Sequence, residues 1–161
     1  MSNSLTASVL SALRRYPGHN VFITVGNSLR SDDGVGPYIS SVLENLKDLS
    51  VIAAGQNPEN VIDKVAGLRP ARILIIDAAD FGKNPGYTQI VDREHIPETS
   101  VSTHAISLKV IAHLIEEDTG VAVEFLGIQP QSVELKEGLS PQVKETADAI
   151  IAVIRKEFSH A

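Results

Sequence analysis

The chain of 161 residues contains no cysteine, which excludes disulfide frameworks, thiolate zinc sites, iron–sulfur clusters and cysteine nucleophiles in one step. Any metal must be held by nitrogen and oxygen ligands. No apolar run approaches the roughly 18 residues of a membrane span. Positive charge is in deficit: 14 Lys and Arg stand against 20 Asp and Glu, a net charge of −6, with a pI near 5.3. With no basic cluster to offset that balance, the phosphate attraction that drives nucleic-acid binding is missing. A His-Glu-x-x-His helix, a Gly-x-Ser-x-Gly elbow, a P-loop lysine motif and a dinucleotide fingerprint are also missing. The stretch from Met1 to Leu13 has neither early basic residues nor a long apolar core, so it does not read as a signal peptide. A cytoplasmic protein with neither nucleic-acid nor membrane partners is expected.

What is present is the balance of a globular protein, 43% hydrophobic and 21% charged, at a length that suits one domain spanning 1–161. Strand-like apolar runs alternate with helical patterns, which predicts an α/β fold: a three-layer α/β/α domain around a mostly parallel, twisted sheet of about five strands. A short helix from about Leu5 to Arg15 precedes a strand at Val21–Val25. A glycine-rich turn, Gly26–Gly36, leads to a helix whose apolar face reads Tyr38, Ile39, Val42, Leu43 and Leu46. Val51–Ala54 is a short strand. Asn57, with Pro58 after it, is placed to cap a helix ending near Gly67. Ile73–Ile76 is the unbroken aliphatic run of a central strand buried on both faces. Tyr87–Val91 reads as an edge strand. Thr103 is placed to cap a helix running to about Asp118, Val121–Ile128 is the last strand, and Ser140-Pro141 opens a final helix to about Phe158. That helix's apolar face is expected to pack on the sheet, leaving a monomer.

Ligands of open α/β sheets bind outside the carboxyl ends of the strands, so the residues following each strand are the first candidates. After the first strand come Asp32 and Asp33, either of which could stabilise a helix start. Adjacent residues point about 100° apart at such a start, so one can brace the helix while the other faces the cleft; spacing does not choose between them. Asp77 ends the central strand, with Asp80 three residues on; each could equally anchor a turn. On a helix opened by Thr103, His104 would head the stripe of Leu108, Ile111 and Ile115 that packs on the sheet, whereas His113 would face solvent. A helix N-terminus lowers an imidazole's pKa, keeping it neutral and able to bind metal. Two carboxylates and one imidazole make a chemically reasonable divalent-metal triad with open positions for water or substrate. His19, His95 and His160 read as surface residues. A non-catalytic flavodoxin-like module, cradling a small ligand in the glycine-rich turn, and a hydrolase with its own zinc are the competing classes. Asp32 and Asp33 would repel an anion from that turn.

Several motifs occur in a fixed order: Gly26-Asn27-Ser28-Leu29 with Asp32-Asp33-Gly34-Val35-Gly36-Pro37, then Ile75-Ile76-Asp77-Ala78-Ala79-Asp80, then Thr103-His104. Together they resemble the nickel–iron hydrogenase maturation endopeptidases. Asn57-Pro58-Glu59-Asn60, Leu68-Arg69-Pro70, Gly82-Lys83-Asn84-Pro85-Gly86 and Phe125-Leu126-Gly127-Ile128-Gln129-Pro130 resemble the branch acting on the large subunit of formate hydrogenlyase. The likeness covers roughly residues 20 to 155. It implies an endopeptidase that trims a C-terminal extension from the immature large subunit after nickel insertion. It also implies Asp33, Asp77 and His104 as metal ligands and catalytic residues, Asp32 as a support and Asp80 as a supporting residue near the site. The nickel is carried by the substrate and no organic cofactor is implied. Ala53-Ala54-Gly55-Gln56 lacks an acid sometimes found at that loop in the family.

Overall fold

A computed structural model describes residues 5–97 and 106–159. Five strands form one sheet: β1 (Asn20–Val25), β2 (Leu49–Gly55), β3 (Arg72–Ala78), β4 (Thr88–Asp92) and β5 (Val123–Ile128), in the order β2-β1-β3-β5-β4. The first four in that order run parallel and β4 lies antiparallel at the edge. The chain thus leaves β1 for one neighbour and later returns to its other side as β3. The gap between the ends of β1 and β3 is the point where the winding reverses, the place where such sheets hold ligands.

Alternation of side chains along the strands separates two cores. Phe22, Leu74, Ile76, Leu126 and Ile128 pack on one face against α1 (Ala7–Leu13), α2 (Val35–Val42) and α5 (Pro141–Phe158). Val21, Ile23, Ile73, Ile75 and Phe125 pack on the other against α3 (Ile62–Gly67) and α4 (Leu108–Thr119). The expected three-layer arrangement is therefore present, with β3 at its centre and six of its seven residues buried. At the amino edge of the sheet Arg72 donates to the carbonyls of Ser11 and Arg14, closing the end of α1, and pairs with Glu124.

Helix boundaries depart from the periodic reading. α2 stops at Val42: Leu43 is extended (φ −88°, ψ 139°), and Leu46 and Leu49 exchange backbone hydrogen bonds across a turn. Leu43 and Leu46 thus reach the core from a turn that delivers β2, where Asn45 also accepts from the Val51 N–H. Asn57 starts a 3₁₀ turn, Pro58–Val61, and its side chain caps nothing before α3 begins. Ser140 does precede Pro141 at the start of α5, but its hydroxyl makes no capping bond and serves elsewhere.

The described start of α4 differs from the expected one. Ser107 is extended and its hydroxyl accepts from the Val110 N–H, so the helix opens at Leu108 and not at Thr103. Thr103 and His104 themselves lie outside the described residues. The stripe of Leu108, Ile111 and Ile115 is buried as expected. His113 is half-exposed 3.5 Å from Glu117, and His95 is exposed against Asp92.

Candidate functional site

The loop leaving β1 is folded back on itself by two glycines. Gly26 has φ 141°, and a Cβ there would lie 2.0 Å from the carbonyl oxygen of Asp33. The Asn27 N–H donates to both the carbonyl (3.2 Å) and the carboxylate (3.0 Å) of Asp33, which closes the turn. Gly36, in the first turn of α2, would place a Cβ 2.4 Å from the Val25 carbonyl and 3.2 Å from that of Ile76. Only a residue without a side chain lets the helix sit this low over the ends of β1 and β3. The short 3₁₀ turn Ser31–Gly34 bridges the two glycines and carries both acids.

Asp32 and Asp33 are both fully buried, at 0% exposure, yet they do different work. The Asp32 carboxylate accepts from the backbone N–H of Gln131 (2.8 Å), Ser132 (3.2 Å) and Ser140 (2.7 Å), and from the Ser140 hydroxyl (2.9 Å). It fastens the β1 loop to the segment that joins β5 to α5, a distance of 99 to 108 residues along the chain. Asp32 is thus a bracing acid, although it braces a distant loop rather than capping the helix beside it.

Asp33 lies at the switch point together with Asp77. Asp77 is 2% exposed and its carboxylate accepts from the Ala78 N–H at 2.8 Å. Burial and, next in size, the neighbouring charge of Asp33 push the Asp77 carboxyl well above its ordinary value; the Ala78 hydrogen bond opposes them. Two buried carboxyl groups coupled in this way resist ionising together, a penalty that a divalent cation would relieve. By strand alternation Asp77 belongs to the face on which α4 packs. Among the described residues no group of three His, Asp or Glu converges on one point; the third candidate ligand, His104, lies outside them.

Asp80 is exposed and organises a turn. It accepts from the Gly82 N–H and from the side-chain amide of Gln129, and these bonds hold its carboxyl below its ordinary value. Gln129 is the residue that motif reading left without a role. It is 6% exposed; its oxygen accepts from the N–H of Phe81 (2.6 Å) and Lys83 (3.3 Å), and its main chain pairs with Gly86 and Tyr87. It ties the loop after β3 to the end of β5 and so fixes the far wall of the site. A polar residue immediately after an apolar strand was the available signal.

The family model described as HycI hydrogenase maturation protease matches residues 37–157. The hydrogenase 3 maturation protease of Escherichia coli (strain K12) is 36% identical over 134 residues, covering 81% of this chain and 85% of that one. A putative hydrogenase maturation protease of Methanocaldococcus jannaschii is 31% identical over 141 residues, covering 81% and 83%. Among solved structures, the NiFe hydrogenase maturation protease HycI from Thermococcus kodakarensis superposes with a TM-score of 0.83 at 27% identity, over 96% of this chain and all of that one. The endopeptidase HycI from Escherichia coli gives 0.74 at 36% identity, over 86% and 89%. An α/β sheet whose switch point carries two buried acids, in a chain this similar along most of its length to those proteins, belongs to the hydrogenase maturation proteases, a family of peptidases.

Proposed function

We propose that the protein removes a C-terminal extension from the immature large subunit of a nickel–iron hydrogenase after nickel insertion. Asp33, Asp77 and His104 would engage the nickel that the substrate carries, and no organic cofactor takes part. The observation that carries this reading is the pairing of buried Asp33 with buried Asp77 at the end of β1 and β3. The chain has no thiolate of its own, so soft ligands for nickel must come from the substrate. Docking would supply the counter-charge that the two acids demand. The metal would then position the scissile peptide and polarise its carbonyl or a water, with a carboxylate as base. Cleavage conditional on nickel follows directly.

In this reading residues 1–161 act as one peptidase domain, as a monomer in the cytoplasm, with the large subunit as partner and neither nucleic acid nor membrane involved. Among the described residues no helix is long and apolar enough to cross a membrane. The competing ligand-binding module is not favoured: the family is one of proteases, and the glycine-rich turn holds two carboxylates where an anion would sit.

The test is intact-mass analysis of nickel-loaded and nickel-free unprocessed large subunit, each incubated with the protein and with its Asp77→Ala and His104→Ala variants. Loss of one C-terminal peptide, only with nickel and only with the unaltered chain, is expected. Nickel-dependent cleavage by Asp77→Ala would refute the assignment of the ligands. Stoichiometric zinc in the purified protein would favour a resident metal instead.

A further inference from the structure

Immediately before the two acids, the chain forms a short two-stranded lip. Lys136 N–H donates to the Leu29 carbonyl (3.0 Å), Ser31 N–H to the Lys136 carbonyl (2.7 Å), and the Ser31 hydroxyl to the Glu134 carbonyl (2.7 Å). Arg30 and Lys136 are the bridge partners. On the other side the Arg30 N–H donates to the Asn27 carbonyl, and its own carbonyl accepts from Asp33 N–H, both at 3.1 Å. Ser31 is held at φ 50°, in the left-handed region that favours glycine, so these bonds impose the geometry.

What this lip displays serves no contact inside the described chain. The Arg30 guanidinium makes no hydrogen bond or ion pair with any described residue, and its Nε is shielded from solvent without a partner. Leu29 and Leu135, on opposite strands of the lip, are 55% and 78% exposed. Two exposed leucines and a guanidinium with no partner among the described residues, carried on one fixed backbone three residues from Asp33, make a surface open to a complement.

We infer that the lip is the docking surface for the substrate protein. Arg30 receives a carboxylate of the substrate polypeptide, and an adjoining apolar side chain of the substrate packs on Leu29 and Leu135. This rests on the protease reading above. Three residues of extended chain span about 10 Å, so the lip lies no farther than that along the chain from Asp33. A guanidinium presents a planar fork of donors that matches a carboxylate. Glu134 and Glu137 lie on the second strand and in the residues after it, and neither pairs with Arg30, so its capacity is unspent. In a chain of net charge −6, a local cation also offsets the repulsion that the acidic centre exerts on an acidic segment. Arg30 is in this account a positioning residue.

The experiment is cleavage of nickel-loaded unprocessed large subunit by the full chain and by Arg30→Gln, Arg30→Lys, Leu135→Asp and, as control for loss of charge at the opposite sheet edge, Arg14→Gln. We expect Arg30→Gln to raise KM about tenfold, the loss of roughly one charged hydrogen bond, with kcat changed less than about twofold. The rise of KM with ionic strength should flatten in the same variant. Arg30→Lys should recover part of the loss, Leu135→Asp should raise KM by repulsion, and Arg14→Gln should behave as the unaltered chain. Unaltered KM and salt dependence in Arg30→Gln would overturn the inference while leaving the protease reading intact. If Arg30→Gln fails to fold, the exposed Leu135→Asp decides in its place. An unaltered chain that cleaves nothing, with or without nickel, would overturn both.

Discussion

Asp32 and Ser140 are joined twice, the carboxylate accepting from both the backbone N–H (2.7 Å) and the hydroxyl (2.9 Å) across 108 residues. This doubled bond, with the contacts to Gln131 and Ser132, makes the position of Asp33 depend on the segment after β5. The acid beside the proposed ligand is thereby a structural element in its own right.

Asp32→Ala should therefore cost stability more than Asp33→Asn does. Removing the carboxylate strands the donors of Gln131, Ser132 and Ser140, and partly buried donors left unpaired cost about 1 to 3 kcal/mol apiece. With water reaching some of them, we expect a total of about 3 kcal/mol in urea unfolding and faster proteolysis within residues 131–140. Asp33→Asn keeps an acceptor for the Asn27 N–H and should abolish cleavage with little change in unfolding midpoint. Equal destabilisation by the two variants would contradict the division of roles.

Stability should fall as pH rises through the range in which Asp77 ionises. Its folded value is raised, so above the unfolded value of about 3.9 the unfolded chain has released a proton that the folded chain retains. The unfolded state then binds fewer protons, and stability decreases with pH until the folded carboxyl also ionises. Below about pH 4 both states are protonated and the contribution is complete. Asp77→Asn removes this dependence. Its melting temperature relative to the unaltered protein should climb as pH rises above about 4, and a difference that is flat in pH would show that Asp77 is not perturbed.

Gly36→Ala should injure both fold and activity. The new Cβ would meet backbone oxygens of two central strands, which cannot rotate away, so α2 must lift. Overpacking of this sort costs about 1 to 3 kcal/mol. A shift of about 1 Å in the loop carrying Asp33 can reduce turnover about 100-fold. Thermal denaturation and single-turnover cleavage report the two effects separately.

Gln129→Ala should loosen the loop after β3 while leaving the sheet intact. The amides of Phe81 and Lys83 lose their acceptor, so their hydrogen exchange should accelerate, and stability should drop by about 1 to 3 kcal/mol. Unchanged protection at those two amides would mean that Gln129 does not hold the wall.

The strands were the legible part of the chain. Ile73–Ile76 reads as a central strand because a run without polar residues must be covered on both sides, and β3 sits third of five. Helix ends were less legible, because they are decided by partners distant in sequence. Leu43 and Leu46 satisfy a helical period and yet reach the core from a turn, and Ser107 opens α4 through a bond from the Val110 N–H. Among the site residues, local spacing marked Asp32 and Asp33 as a pair with two jobs. It could not say that the donors to Asp32 lie beyond β5, nor that Gln129 would be buried against the loop of Asp80.

The bond between the Asp32 loop and residues 131–140 also sets an order of events as the chain is made. β1, β2 and β3 can pair before the last quarter of the sequence exists, but the acidic loop has no anchor until Ser140 has emerged and β5 has slotted between β3 and β4. A nascent chain therefore carries its carboxylates unassembled, and the acidic loop sets last, when the protein is nearly complete.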